Sequence, residues 1–220
     1  MQKHGPEYLQ STDKRILDKI GGAAVAAALA PMAVGVGVAC AIDTGEINPL
    51  FVQERTGGQS ESFEIYKFRT LRRVLGAQSI NMTYGTFDPR TSPFGQFIRQ
   101  TGLDESPQVI NVLKGDMSLV GPRPLIQEDV ELYEQADPSL FNDWYEHYQQ
   151  VKPGLTGKSQ IFRHHYKGVS TDMRKSCMRM DLDYFENATL KQDVKIILAT
   201  PMQLIQANIA VEETAASAED

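Results

Sequence analysis

Cysteine is scarce: Cys40 and Cys177 are the only two in 220 residues, and Cys40 lies inside an apolar run. A disulfide framework is therefore not expected, which fits a reducing compartment. Histidine is equally scarce. Four are present, and the His164-His165 pair has no Cys or His cluster around it to complete a zinc site. That pair reads as ordinary surface or buried polar residues. Basic residues are missing from the last ten positions, VEETAASAED, which hold Glu212, Glu213, Glu219 and Asp220. Residues 207–220 read as an acidic, disordered tail, and the formal net charge of −6 overstates the acidity of the body. Acid is missing in turn from most of 67–99: Lys67, Arg69, Arg72, Arg73, Arg90 and Arg99 are interrupted only by Asp88. Phosphorylated small molecules, anionic lipid heads or nucleic acid could match such a run. Nothing resembles the aromatic interleaving of an RNA-binding surface, so no nucleic-acid partner is expected.

Charge is wholly absent from residues 20–42, IGGAAVAAALAPMAVGVGVACAI. A helix of that length reaches roughly 34 Å, against about 30 Å of bilayer hydrocarbon. The run is long for a signal peptide and begins late for one. Pro31 sits near its middle, where it removes a helical hydrogen bond and clashes with the preceding turn. A kinked span and a re-entrant hairpin that exits on the side it entered both answer that problem. A Gly/Ala-rich core helix of a soluble protein is the bland alternative.

Beyond it, residues 41–73 read as a turn-rich exit, within which Phe63, Ile65 and Phe68 suggest a short strand carrying Lys67 and Arg69. Residues 75–91 are punctuated as a loop. SPFGQFIRQTG starts on Ser-Pro and reads as a short helix ending near Gly102. Residues 125–150 read as helices broken at Asp137-Pro138, and their aromatics suit either packing or a membrane interface. VKPGLTG is a turn-rich loop, and 170–206 is mostly helical with a late break at Pro201.

Asp104 and Glu105 precede Ser106-Pro107, a serine cap and first-turn proline for the apolar run VINVL. Ahead of a helix N-terminus an aspartate should stay ionised, able to attack phosphorus or to hold Mg²⁺. Simple complementation of the helix dipole accounts for the same pair. Arg123 stands between Pro122 and Pro124, so its guanidinium starts from a stiff extended backbone, suited to a phosphate or to a structural ion pair. Asp181-Leu182-Asp183 has a D-x-D look, but on a helix those carboxylates point apart.

KFRTL at 67–71, RQTGLDESPQVINVLKGDMSLVGPRP at 99–124 and KPGLTG at 152–157 together resemble the bacterial sugar transferase family. These are the monotopic polyprenyl-phosphate phosphoglycosyl transferases that initiate surface-glycan assembly. KRILD with the proline-centred apolar segment, and RMDLDYFENATLKQDVKIILAT, extend the likeness over about 13–202. Three positions depart from the family's habit: Ser106 replaces leucine, Ala30 precedes Pro31 where serine is common, and Leu71 replaces methionine.

The resemblance implies an α-rich α/β fold with little sheet: a re-entrant membrane helix hairpin, interfacial amphipathic helices and a compact cytoplasmic catalytic domain. In this chain that means a cytoplasmic segment 1–19, a re-entrant helix 20–42 broken at Pro31, a membrane-associated transferase domain 43–206 and the tail 207–220. It implies transfer of a sugar-1-phosphate from a UDP-sugar to polyprenyl (undecaprenyl) phosphate, releasing UMP, at the cytoplasmic face of the bacterial inner membrane. Asp104 takes the place of a nucleophile that carries the phosphosugar, and Glu105 that of its partner in metal or proton handling. Arg99 and Arg123 match phosphate-binding arginines, and Lys67 and Arg69 match a basic stretch of less defined role. Mg²⁺, with Mn²⁺ as a substitute, is the implied cofactor, held by Asp104 and Glu105. Membrane lipids and downstream glycosyltransferases are implied partners. A membrane-anchored scaffold without activity is the competing reading.

Overall fold

The computed structural model describes residues 3–58, 62–72, 90–164 and 170–201. The expected loop at 75–91 lies almost wholly outside these residues, as do His165 and the acidic tail. Two short N-terminal helices, α1 (Gly5–Leu9) and α2 (Thr12–Ile16), precede a single π-type turn, Leu17–Gly21, that runs into α3 (Gly22–Thr44). The helix is continuous from Thr12 to Thr44 and is long and apolar enough to cross a membrane, consistent with membrane anchoring. Gly45, at φ 73°, ends it in the left-handed region, where a side chain would be strained.

Pro31 lies inside α3, and the helix continues on both sides of it. The expected break is thus not a gap in the helix. Proline deletes one backbone bond and disturbs one turn, which need not end a helix. Ala27, Ala28, Ala30, Pro31 and Met32 are exposed in the middle of α3. Its two ends are not. Gly22 abuts Val112 and Leu113, while Gly37 abuts Phe68, each too closely for an added Cβ to fit without adjustment. Cys40 is buried with Phe68 and Ile98.

β1 (Leu50–Thr56) and β2 (Ser62–Phe68) form an antiparallel pair in register Leu50↔Phe68. α4 (Pro93–Gln100) follows, capped by Ser92, whose Oγ accepts from the Gly95 N–H at 2.9 Å. A 3-10 turn, Leu103–Gln108, leads directly into α5 (Val109–Lys114). β3 (Ser118–Val120) pairs in parallel with β4 (Gly154–Thr156). Between them lie α6 (Gln127–Ala136) and α7 (Pro138–Tyr148), and after them α8 (Lys158–His164) and α9 (Thr171–Asn187). A further helix, α10, is described over 190–201. The two short pairs are the only sheets among the described residues, so the fold is helix-rich with little sheet.

The break at Asp137-Pro138 falls where the sequence places it: Asp137 caps α7 by accepting from the Leu140 N–H at 3.2 Å. The aromatics around it are core rather than interface. Tyr133, Phe141, Trp144 and Tyr148 are all buried, packed ring to ring and against Met173, Met178 and Phe185 of α9. Burying rings of this size supplies much of the apolar stabilisation of such a domain. The exposed apolar residues lie elsewhere. Leu190, Val194 and Leu198 line one side of α10 at helical spacing, while Asp193 and Ile196 face inward. Ile110 and Leu113 are exposed on α5, next to the foot of α3.

Candidate active site

Gly102, at φ 70°, lets the chain leave α4 and turn at once into the 3-10 segment that carries Asp104 and Glu105. The helical unit therefore begins at Leu103, four residues earlier than the Ser106-Pro107 signal suggests. Ser106 is not its cap: its hydroxyl donates back to the Leu103 carbonyl at 2.8 Å. The two carboxylates stand in the first turn rather than ahead of it. α3 and α4 both pack against that turn, so the pair lies by the C-terminal half of the anchor helix.

Glu105 is held from two sides. Lys67 Nζ, at the end of β2, lies 2.8 Å from its Oε1, and the Arg123 guanidinium lies 3.6 Å from the same oxygen. All three side chains are largely shielded from water, so the ion pairs are stronger than surface ones. Asp104 departs from expectation. Burial and the neighbouring Glu105 charge push its carboxyl up to about 7, while the Lys67 and Arg99 charges pull it back. The dipole argument accounted for the helix end and omitted the loss of water, which outweighs it here. Arg99 is exposed on α4 yet close enough for its charge to act on Asp104. Five of the six expected residues, Asp104, Glu105, Lys67, Arg99 and Arg123, thus share one neighbourhood. The contacts of Arg69 lie at β1. It donates to the Leu50 carbonyl at 3.3 Å and lies over the Phe51 ring, bracing the start of β1.

The Arg123 loop is clamped by KPGLTG, a role the sequence did not disclose. The Gly121 N–H donates to Thr156 O at 2.9 Å and the Gly154 N–H to Pro122 O at 2.8 Å. A Cβ on Gly121, Gly154 or Gly157 would collide with the facing backbone, so the approach requires glycine at all three. Gln160 Nε2 donates to Gly154 O at 2.9 Å, and the Tyr148 hydroxyl contacts Arg123 O at 3.2 Å. The D-x-D pair separates as helical spacing requires. Asp181 is buried and bonded by Trp144 Nε1 at 3.2 Å, whereas Asp183 is exposed and paired with Lys158. No cluster of three or more His, Cys, Asp or Glu side chains suited to a metal occurs among the described residues.

A carboxylate pair flanked by cations thus lies at the side of a long apolar helix, in a helix-rich fold consistent with membrane association. The sequence profile of the bacterial sugar transferase family matches residues 9–207. The chain is 32% identical over 201 residues to a UDP-glucose:undecaprenyl-phosphate glucose-1-phosphate transferase of Caulobacter vibrioides, covering 91% of this chain and 72% of that protein. It is 33% identical over 192 residues to an undecaprenyl-phosphate glucose phosphotransferase of Komagataeibacter xylinus, covering 86% of this chain and 35% of that one. A Salmonella typhimurium undecaprenyl-phosphate galactose phosphotransferase is 35% identical over 165 residues, covering 69% of this chain and 32% of its own length. The chain belongs to the bacterial sugar transferase family. It spans about a third of the length of the Komagataeibacter and Salmonella relatives and nearly three quarters of the Caulobacter one.

Proposed function

We propose that this chain is a phosphoglycosyl transferase that moves a sugar-1-phosphate from a UDP-sugar to polyprenyl phosphate at the cytoplasmic face of a bacterial inner membrane. The observation that carries the proposal is the geometry around Glu105: one carboxylate braced by Lys67 and Arg123, with Asp104 beside it. The relatives' names specify undecaprenyl phosphate with glucose or galactose donors, which supports the substrate classes.

In this reading an Asp104 carboxylate oxygen attacks the phosphorus that bears the sugar. The bond from that phosphorus to the UMP oxygen breaks, UMP leaves, and an acyl phosphate remains on Asp104. The phosphate oxygen of the lipid then attacks the same phosphorus, the bond from that phosphorus to the Asp104 oxygen breaks, and the Asp104 carboxylate is restored as polyprenyl-diphosphate-sugar departs. Burial raises the basicity of Asp104, which strengthens the ionised form as a nucleophile, while Lys67 and Arg99 favour that ionised form. Lys67, Arg99 and Arg123 face the charge that spreads over the transferring phosphoryl oxygens. Asp104 and Glu105 offer two adjacent carboxylates, a donor set that suits Mg²⁺ or Mn²⁺ when substrate phosphates supply further oxygens. Such an ion would neutralise diphosphate charge near the dyad.

The contacts of the anchor support entry and exit on one side of the membrane, although α3 stays helical through Pro31. Gly22 near its start and Cys40 near its end rest on the same body, with the exposed middle between them. A membrane span would separate those ends by about 30 Å of hydrocarbon, which one body on one side could not bridge. The exposed face of α10, with Ile110 and Leu113, is suited to lie in the lipid interface beside that foot. Release of UMP from a panel of UDP-sugars, with polyprenyl phosphate supplied, tests the function; no UMP from any of them leaves the scaffold reading.

A further inference from the structure

Asn111 is a polar residue in the apolar helix α5, and it is fully buried. Its side chain is completely engaged. Oδ1 accepts from the Tyr66 N–H at 3.2 Å, and Nδ2 donates to the Glu64 carbonyl at 2.6 Å and to Asp116 Oδ2 at 3.2 Å. Glu64 and Tyr66 are alternate residues of β2, so these backbone groups lie on one edge of the strand; β1 pairs along the other. The carboxamide offers that edge one acceptor and one donor, as a third strand would.

The consequence for the site follows from the pleat. Ile65 and Lys67 point to the face opposite Glu64 and Tyr66. Ile65 is buried in the core, so Lys67 turns inward with it and reaches Glu105. Asn111 belongs to the same continuous helical unit, Leu103–Lys114, that carries the two carboxylates. Its amide therefore ties the strand bearing Lys67 to the helix bearing Glu105. A slip of one residue at this edge would point Lys67 to the other face.

We propose that Asn111 is a positioning residue for the transfer site: its carboxamide caps the open edge of β2 and sets the reach of Lys67 to Glu105. The catalytic part of this inference rests on the transferase reading above; the placement of Lys67 does not. The test uses the full chain in lipid nanodiscs and an amine-reactive reagent, with labelling of each lysine read by mass spectrometry. Exposed Lys191 and buried Lys14 serve as references. Asn111→Ala should raise Lys67 labelling roughly 10-fold, with Tyr66 amide exchange rising alongside, and leave Lys191 and Lys14 unchanged. Asn111→Asp keeps an acceptor for Tyr66 but loses the donor to Glu64, and should give a smaller rise. Unchanged Lys67 labelling in both variants overturns the proposal. So does a rise at Lys14 in step with Lys67 in both, which makes Asn111 a residue of general stability. In an active enzyme, Asn111→Ala should lower kcat more than it alters KM, and should cost no further activity when Lys67→Met is already present; independent, multiplying losses overturn the catalytic part. A wild type that releases no UMP removes the transferase reading and leaves the labelling to decide the placement.

Discussion

Lys14 Nζ lies 2.6 Å from Asp193 Oδ2, and both side chains are almost completely shut off from water. The ammonium also donates to Val120 O at 3.0 Å, while Asp193 accepts from the hydroxyls of Tyr8 at 2.9 Å and Tyr184 at 2.8 Å. This network joins the foot of the anchor helix to α10 and β3. Lys14→Met leaves the Asp193 charge buried without its cation, a loss of about 3–5 kcal/mol for a pair of this kind. The thermal unfolding midpoint in nanodiscs should fall markedly, and an unchanged midpoint would contradict the network's role.

Asp181 gives a stability that depends on pH. Burial pushes its carboxyl up to about 7, against partial relief from hydrogen bonds with Ser159 and Trp144. Between about pH 4 and 7 the folded state keeps a proton that the unfolded chain has released, so stability falls as pH rises through that window. Above it the loss is complete. Asp181→Asn retains an acceptor for Trp144 and should flatten this part of the profile, with a gain on the order of a few kcal/mol at most at pH 8. Denaturation midpoints across pH 4–8 check it; parallel profiles for the two proteins would count against the buried proton.

The topology of the anchor can be read by thiol labelling. Thr12 and Ile47 are exposed on either side of the helix, and both native cysteines are buried and should stay silent. Thr12→Cys and Ile47→Cys should both react with an impermeant reagent only once the inner membrane is opened. Opposite accessibility of the two positions would establish a span.

Metal dependence follows from charge. Asp104 and Glu105 sit beside the place proposed for a diphosphate, and the cations there already neutralise Glu105. Chelation with EDTA should abolish turnover, and Mg²⁺ or Mn²⁺ should restore it. Full turnover in chelator would show that Lys67, Arg99 and Arg123 suffice.

Local signals were legible where one residue decides the outcome. Ser92-Pro93 and Asp137-Pro138 announced two helix starts, and both side chains make the cap bonds that the sequence implies. Ser106-Pro107 carries the same signal but sits one turn inside a helix already begun at Leu103, just after Gly102, whose positive φ no pattern revealed. β1 was missed because LFVQERT lacks clean alternation; its partner β2 and the Leu125 carbonyl bonded to Thr56 hold it. Lys14 entered the sequence reading only within KRILD, and only tertiary packing shows it buried against a residue 179 positions away. Asp104, Glu105 and Arg123 stood out by residue type. The grip of Lys67 on Glu105, the glycine clamp under Arg123 and the loss of water around Asp104 are long-range and lay beyond the pattern.

The central claim is that Asp104 carries the phosphosugar. The direct measurement is intact-protein and peptide mass spectrometry after adding a UDP-sugar without any polyprenyl phosphate. One equivalent of UMP should be released, and the peptide containing Asp104 should gain the mass of a sugar phosphate, with Asp104→Asn losing both. A strict requirement for the lipid before any UMP appears, with Asp104 unmodified throughout, would contradict the account.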